Sequence, residues 1–180
     1  VGMNGDEPIG AVNHPLKIKY SLSLSDSKAF ELYENCIVNS ASYKRSMKSE
    51  WGTLCLPFTI NITHWLNTCN FYTLKNIGNE SVVLMLIENG TVEAGQPVVI
   101  RNKDNTKTEI LISSVTNTQV VKEPKNTNTG NRLMGTFTNM ELADDCYFIA
   151  NNQFRLVSNY KPATSGVKLA AFRAYIQPQK

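Results

Sequence analysis

The chain has 180 residues, 42% of them apolar and 18% charged, with a net charge of +3. That length supports a full hydrophobic core, while the small, dispersed charge excludes the concentrated basic face that nucleic acid requires. No apolar run reaches membrane-spanning length, so no membrane span is expected, and the polar opening VGMNGDEPIG does not read as a signal peptide, which leaves open a cytoplasmic protein or one whose leader has been removed.

In chain order, residues 1–12 read as a flexible lead-in, and 13–180 as a single β-sandwich domain. LKIKYSLSLS follows, in which Leu16, Ile18, Tyr20, Leu22 and Leu24 alternate with Lys17, Lys19 and serines, as in a strand with one dry face. SDSKAFELYEN has a capping Ser25 or Asp26, and Phe30 and Tyr33 three apart, which suggests a helical turn. Short β-rich runs come next, among them TLCLPFTI, SVVLMLIE, QPVVIRN, TEILISSV, CYFIAN and VKLAAFRAYI. Turn formers such as Asn89-Gly90, Ala94-Gly95 and Asp144-Asp145 separate them. KEPKNTNTGNR, residues 122–132, has no periodicity and reads as a long loop. About ten short strands at this spacing predict an all-β fold, a two-sheet sandwich of jelly-roll or Greek-key type. Its predicted core is Leu54, Leu56, Phe58, Leu74, Leu84, Val99, Ile112, Phe148 and Leu156, with Ala174 and Ile176 on the last strand.

The stretch SEWGTLCLPFTI raises the question of a reactive thiol at Cys55. On a strand, Leu54, Leu56 and Phe58 face one way and Trp51, Thr53 and Cys55 the other, which suits a central strand covered on both sides. Pro57 cannot donate to a ladder, so pairing should lapse there. A thiol nucleophile needs a base within reach, and the only histidines, His14 and His64, have no sequence relation to Cys55. Cys55 therefore reads as core. Cys36, Cys55, Cys69 and Cys146 admit more than one disulfide pairing, but no CxxC occurs and buried free thiols are the simpler reading.

SYKR at 42–45, WGTLCLPF at 51–58, VEAGQPVVI at 92–100, LMGTF at 133–137, CYFIANNQF at 146–154 and AAFRAYI at 170–176 occur in this order. Together they resemble a β-rich module found in secreted and surface-attached proteins of Bacteroidetes, often beside leucine-rich repeats or immunoglobulin-like domains. The likeness covers residues 30–177, and the W-x-T-L-C-L-P-F and F-R-A-Y blocks are its most specific parts. It implies export to the cell surface or medium, any anchor lying in a region before this sequence. It also implies an accessory, non-enzymatic role, and carries no catalytic residues to transfer.

Other chemistry is sparse. Glu88, Glu93, Glu109, Glu123, Glu141, Asp144 and Asp145 sit mostly at turns or between apolar strand residues, as solvated charges do. Glu141 with Asp144 and Asp145 lacks the spacing of a calcium loop, so no metal is expected. No phosphate-binding or nucleophile-elbow motif occurs, so neither a cofactor nor a catalytic residue is expected. The N-x-S/T triplets at Asn61, Asn79 and Asn89 matter only in a eukaryotic secretory route. Aromatics near polar segments offer a ligand platform instead: Trp65 in NITHWLNTCN and Tyr160 in SNYKPATSG. Two roles follow: a non-catalytic surface module for adhesion or scaffolding with a protein partner, or a carbohydrate-binding module in which Trp65 and Tyr160 stack on a glycan.

Overall fold

The computed structural model describes residues 2–4, 7–9, 16–26, 28–78, 81–104, 106, 109–126, 132–160 and 166–178. Within the expected lead-in, β1 (Gly2–Asn4) and β2 (Glu7–Ile9) pair as an antiparallel hairpin. Next come β3 (Leu16–Ser25), β4 (Cys36–Ser46), β5 (Trp51–Cys55) and β6 (Ile60–Asn61), the last running into a 3-10 turn at Ile62–His64. β7 (Cys69–Ile77) and β8 (Val82–Leu86) form a hairpin. β9 (Thr91–Val92), β10 (Pro97–Asn102), β11 (Glu109–Ser113) and β12 (Thr118–Val120) follow. The last part of the chain holds β13 (Arg132–Thr136), β14 (Met140–Glu141), β15 (Tyr147–Ala150), β16 (Gln153–Leu156), the single helical turn α1 (Val157–Tyr160), β17 (Lys168–Leu169) and β18 (Arg173–Gln177).

Helix accounts for 5% of the structure, so the fold is all-β. Its sandwich-like layering uses three four-stranded sheets where sequence suggested two, and more, shorter strands than the expected ten or so. The middle sheet has the order β5-β10-β7-β8. On one face it meets the sheet in which β4 is flanked by β3 on one edge and by β11 and β12 on the other. On the opposite face it meets the sheet β13-β18-β15-β16.

The continuous apolar run of β10 explains the middle position. Val98 and Ile100 enter the cluster shared with Phe58, Phe71, Tyr43 and Ile112, whereas Val99 enters the cluster of Leu133, Ala174 and Ile176. A strand covered on one face would alternate apolar and polar residues, but one covered on both does not. β15 repeats the device: Phe148 packs outward with Leu142, Cys146, Val157 and Val167, while Tyr147 and Ile149 pack inward.

Of the predicted core, Leu54, Leu56, Phe58, Val99, Ile112, Phe148, Ala174 and Ile176 are buried. Leu74, Leu84 and Leu156 are only half-buried, because they lie on hairpins at the ends of the layers. Leu56→Ala should cost about 2–3 kcal/mol, read from the denaturant midpoint, since just past the strand end its neighbours can partly refill the cavity. The ladder of β5 does end at Cys55, one residue before Leu56-Pro57. Both faces of β5 are covered, but it is the last ladder strand of its sheet rather than a central one.

Two local expectations give way. The alternation of β3 breaks at a bulge between Ile18 and Ser21, and Tyr20 emerges 79% exposed. The described residues of 26–35 form no helix. β3 and β4 are parallel, so this segment is the crossover that must travel back along the sheet. It does so extended, with Phe30 and Leu32 against the core and Tyr33 in solvent. The N–H of Phe30 donates to the carbonyl of Phe137 at 3.1 Å. At the chain's far end Phe172 adopts φ +60°, unusual for a bulky residue. The strain is held by burial of its ring among Phe30, Tyr43 and Phe137.

Candidate functional site

The opening question about Cys55 resolves structurally. Its side chain is fully buried, its thiol donates to the carbonyl of Gly95 at 3.3 Å, and burial pushes its pKa up strongly. Gly135 lies across it so closely that a β-carbon there would stand 2.3 Å from the sulfur. His64 is exposed on its 3-10 turn, and His14 lies outside the described residues. Cys36, Cys69 and Cys146 are also buried, with the Cys69 thiol raised by burial to about 11. Native protein near neutral pH should therefore resist alkylation at Cys55, and peptide mapping should find it modified only after unfolding. Modification of Cys55 in the folded state, faster than a free thiol, is the result that would reopen the catalytic reading.

A buried polar cluster links three of the sequence blocks quoted above. Asp26, from the crossover, accepts hydrogen bonds from the Tyr43 hydroxyl and, at 2.8 Å, from Arg173. Arg173 also donates to the Tyr43 oxygen at 2.7 Å. Burial works to raise the Asp26 pKa, but the bonds from Arg173 and Tyr43 win and hold it below the ordinary value. Burial pushes Tyr43 up to about 12. Neighbouring Arg45 donates to the Thr53 carbonyl at 2.7 Å, and burial, with the like charge of Arg173, lowers it to about 10. Thr53 in turn donates to the Ala174 carbonyl at 2.7 Å and accepts from its N–H at 2.9 Å. These groups stitch β4, β5 and β18 together, with Arg45 and Tyr43 buried and Asp26 at the partly exposed end of the network.

The site open to a ligand lies elsewhere, between the β7–β8 hairpin of the middle sheet and the β15–β16 hairpin of the next. These two hairpins splay apart to leave a cleft of about 700 Å³, within the usual range for small-ligand sites. Its floor is aliphatic, from Ile77, Val82, Leu84, Ile149 and Ile176; its walls are Trp51, Tyr147 and Phe154; its rim is Ser81, Asn152 and Gln153. Among the described residues, no carboxylate, imidazole, ammonium or guanidinium lines it.

Trp51 is held from behind. Its ring lies 5.4 Å from that of Tyr72, and the Arg101 guanidinium sits 5.4 Å from its centroid. Arg101 is fixed by Glu50 at 2.6 Å. The N–H of Trp51 donates to Asn152 Oδ1 at 3.0 Å, which ties the hairpin tip to the start of β5. That tip is a two-residue loop in which Asn151 and Asn152 have φ of +51° and +61°. Asparagine tolerates this left-handed pair better than most residues, and a primed turn suits the strand twist.

Trp65 and Tyr160 are not part of this cleft. Trp65 is half-buried against the large cluster and closes the turn after Ile62, its N–H donating to the Ile62 carbonyl at 2.8 Å. Tyr160 is 42% exposed at the end of α1, with its ring edge-on to Phe148 at 5.1 Å. Trp65 packs against the large cluster, and Tyr160 against Phe148 of a different one. Sequence reasoning placed Trp51 in the core and missed the cleft, because its supports Tyr72, Arg101 and Asn152 are scattered along the chain. The usable signal was the Asn151-Asn152 pair between two aromatic-rich runs. Among the described residues, no group of three His, Cys, Asp or Glu side chains is arranged to hold a metal ion. No helix among them is long and apolar enough to cross a membrane.

The fold and cleft thus define a layered all-β protein with an aromatic and aliphatic groove. No protein family matches the chain, and no curated protein sequence or solved structure is detectably similar to it.

Proposed function

We propose that this chain is a non-catalytic binding module of a secreted or cell-surface protein, serving adhesion or scaffolding. The observation that carries the reading is the lining of the 700 Å³ cleft: aromatic, aliphatic and amide groups that can hold a ligand, with no acid-base pair among the described residues to transform it. The ionisable groups with displaced pKa values are spent on internal bonding. The likeness of the sequence blocks to modules of bacterial surface proteins supports the location.

A neutral glycan is the second reading, favoured by the Trp51, Tyr147 and Phe154 walls beside the Asn152 and Gln153 amides. Aromatic faces take the apolar side of a sugar ring while amides bond its hydroxyls. The test is affinity electrophoresis against neutral and acidic polysaccharides, with Gln153→Ala and Trp51→Phe as variants. Retardation by a neutral glycan, weakened about tenfold in either variant, supports it at the energy of one or two good contacts. Retardation that follows Trp65→Phe instead would move the site, and absence of retardation leaves protein adhesion as the role. Release of shortened saccharide would overturn the non-catalytic reading.

A further inference from the structure

We propose that β8 is a self-association edge, pairing antiparallel with β8 of a second copy about a two-fold axis at Leu84. β8 is the last strand of the middle sheet and, among the described residues, is paired only with β7. It reads Val-Val-Leu-Met-Leu, and Val83, Met85 and Leu86 are 43%, 55% and 43% exposed. Edge strands are normally protected by charge, proline or a cover. Elsewhere the sheet edges follow that rule: β11 carries Glu109, β16 carries Arg155, and β13 is capped by Asn126, whose amide bonds both backbone groups of Gly135 at 2.7 and 3.2 Å. Among the described residues, β8 has none of these devices.

The hydrogen-bond phase of β8 selects the axis. Ile87 N–H donates to the Phe71 carbonyl at 2.8 Å, and Gly78 N–H donates to the Ser81 carbonyl at 2.7 Å. In an antiparallel ladder alternate residues bond to the same neighbour, so Ser81, Val83, Met85 and Ile87 turn their backbone groups toward β7. Val82, Leu84 and Leu86 therefore turn theirs to the free edge. With the axis at Leu84, Leu84 exchanges both bonds with its own copy, and Val82 does so with Leu86. On the other face Val83 lies opposite Met85. Every cross-strand pair within β8 is apolar, and a contact of this symmetry closes at two copies. An axis at Met85 is excluded because Met85 turns its backbone groups toward β7.

The joined middle sheets would carry both clefts on the same side, since Val82 and Leu84 line each of them. The contact is small, so dissociation on the order of tens of micromolar is expected.

Sedimentation equilibrium of the chain from about 1 to 500 μM tests this, a range that brackets that affinity. The mass should rise from 20.1 kDa toward twice that value. Val83→Lys/Met85→Lys and Val83→Glu/Met85→Glu each place like charges opposite one another across the axis, which is destabilising. Each variant alone should dissociate at least about tenfold more readily, and an equimolar mixture of the two should recover the dimer. Both positions are exposed, and circular dichroism checks that the variants remain folded. A single-chain mass at every concentration, growth beyond two copies, or a dimer indifferent to the charges would each overturn the proposal. None of these outcomes depends on what the cleft binds.

Discussion

Gly135→Ala is expected to destabilise the protein by about 4–5 kcal/mol, above the usual range for overpacking. The added β-carbon would lie 2.3 Å from the Cys55 sulfur, 2.9 Å from the Cys55 β-carbon and 3.3 Å from Pro124. None of these neighbours can step aside. Cys55 is anchored by its ladder to β10 and by its thiol on Gly95, while Gly135 is clamped between Ala174 and the Asn126 amide. Denaturant unfolding of Gly135→Ala, Cys55→Ala and the pair measures the coupling. The double variant should recover only part of the loss, since the two β-carbons would still clash. A loss under about 1 kcal/mol for Gly135→Ala would show that the two layers can part freely.

Asp26→Ala should cost about 3–4 kcal/mol, because it leaves the buried guanidinium of Arg173 without its carboxylate. The side chain of Arg173 is only 13% exposed. The same pair sets an acid limit. The folded pKa of Asp26 is depressed, so its contribution is fully present above the unfolded value and is lost as pH falls through the folded one. Melting temperature should drop below about pH 4, the ordinary aspartate range, and Asp26→Asn should flatten that drop. An Asp26→Asn protein with the wild-type acid profile would mean that other carboxylates govern acid unfolding.

The parts of this architecture that were legible in the sequence are those written in local pattern. The apolar residues on both sides of the strand at 51–58 announced that both its faces are covered, and Pro57 marked where it stops. The burial of Cys55 followed from its leucine neighbours and the lack of a base. What stayed hidden depends on distant partners. Phe30 and Tyr33 fit a helix in isolation, and only the parallel pairing of β3 with β4 requires residues 26–35 to run extended. Tyr20 looked like core until a bulge rotated it outward. The cleft escaped for the same reason. Trp51 gains its role from Asn152, far along the chain, and nothing near Trp65 or Tyr160 reveals that each is committed to its own cluster.

The middle layer also has a consequence for how the protein is made. Thr53 and Ala174, which share two hydrogen bonds, are 121 residues apart, and the sheet facing Val99 is built entirely from residues after 131. A ribosome delivering about 5–20 residues per second needs about 4–15 s to extend the chain from the end of β10 to the end of β18. For that interval one face of the nascent middle sheet has no cover, and its apolar side chains are open to any neighbour. A holding chaperone that binds extended apolar segments is therefore expected to engage residues 51–102 during synthesis. It should be released only when the FRAY block closes the layer.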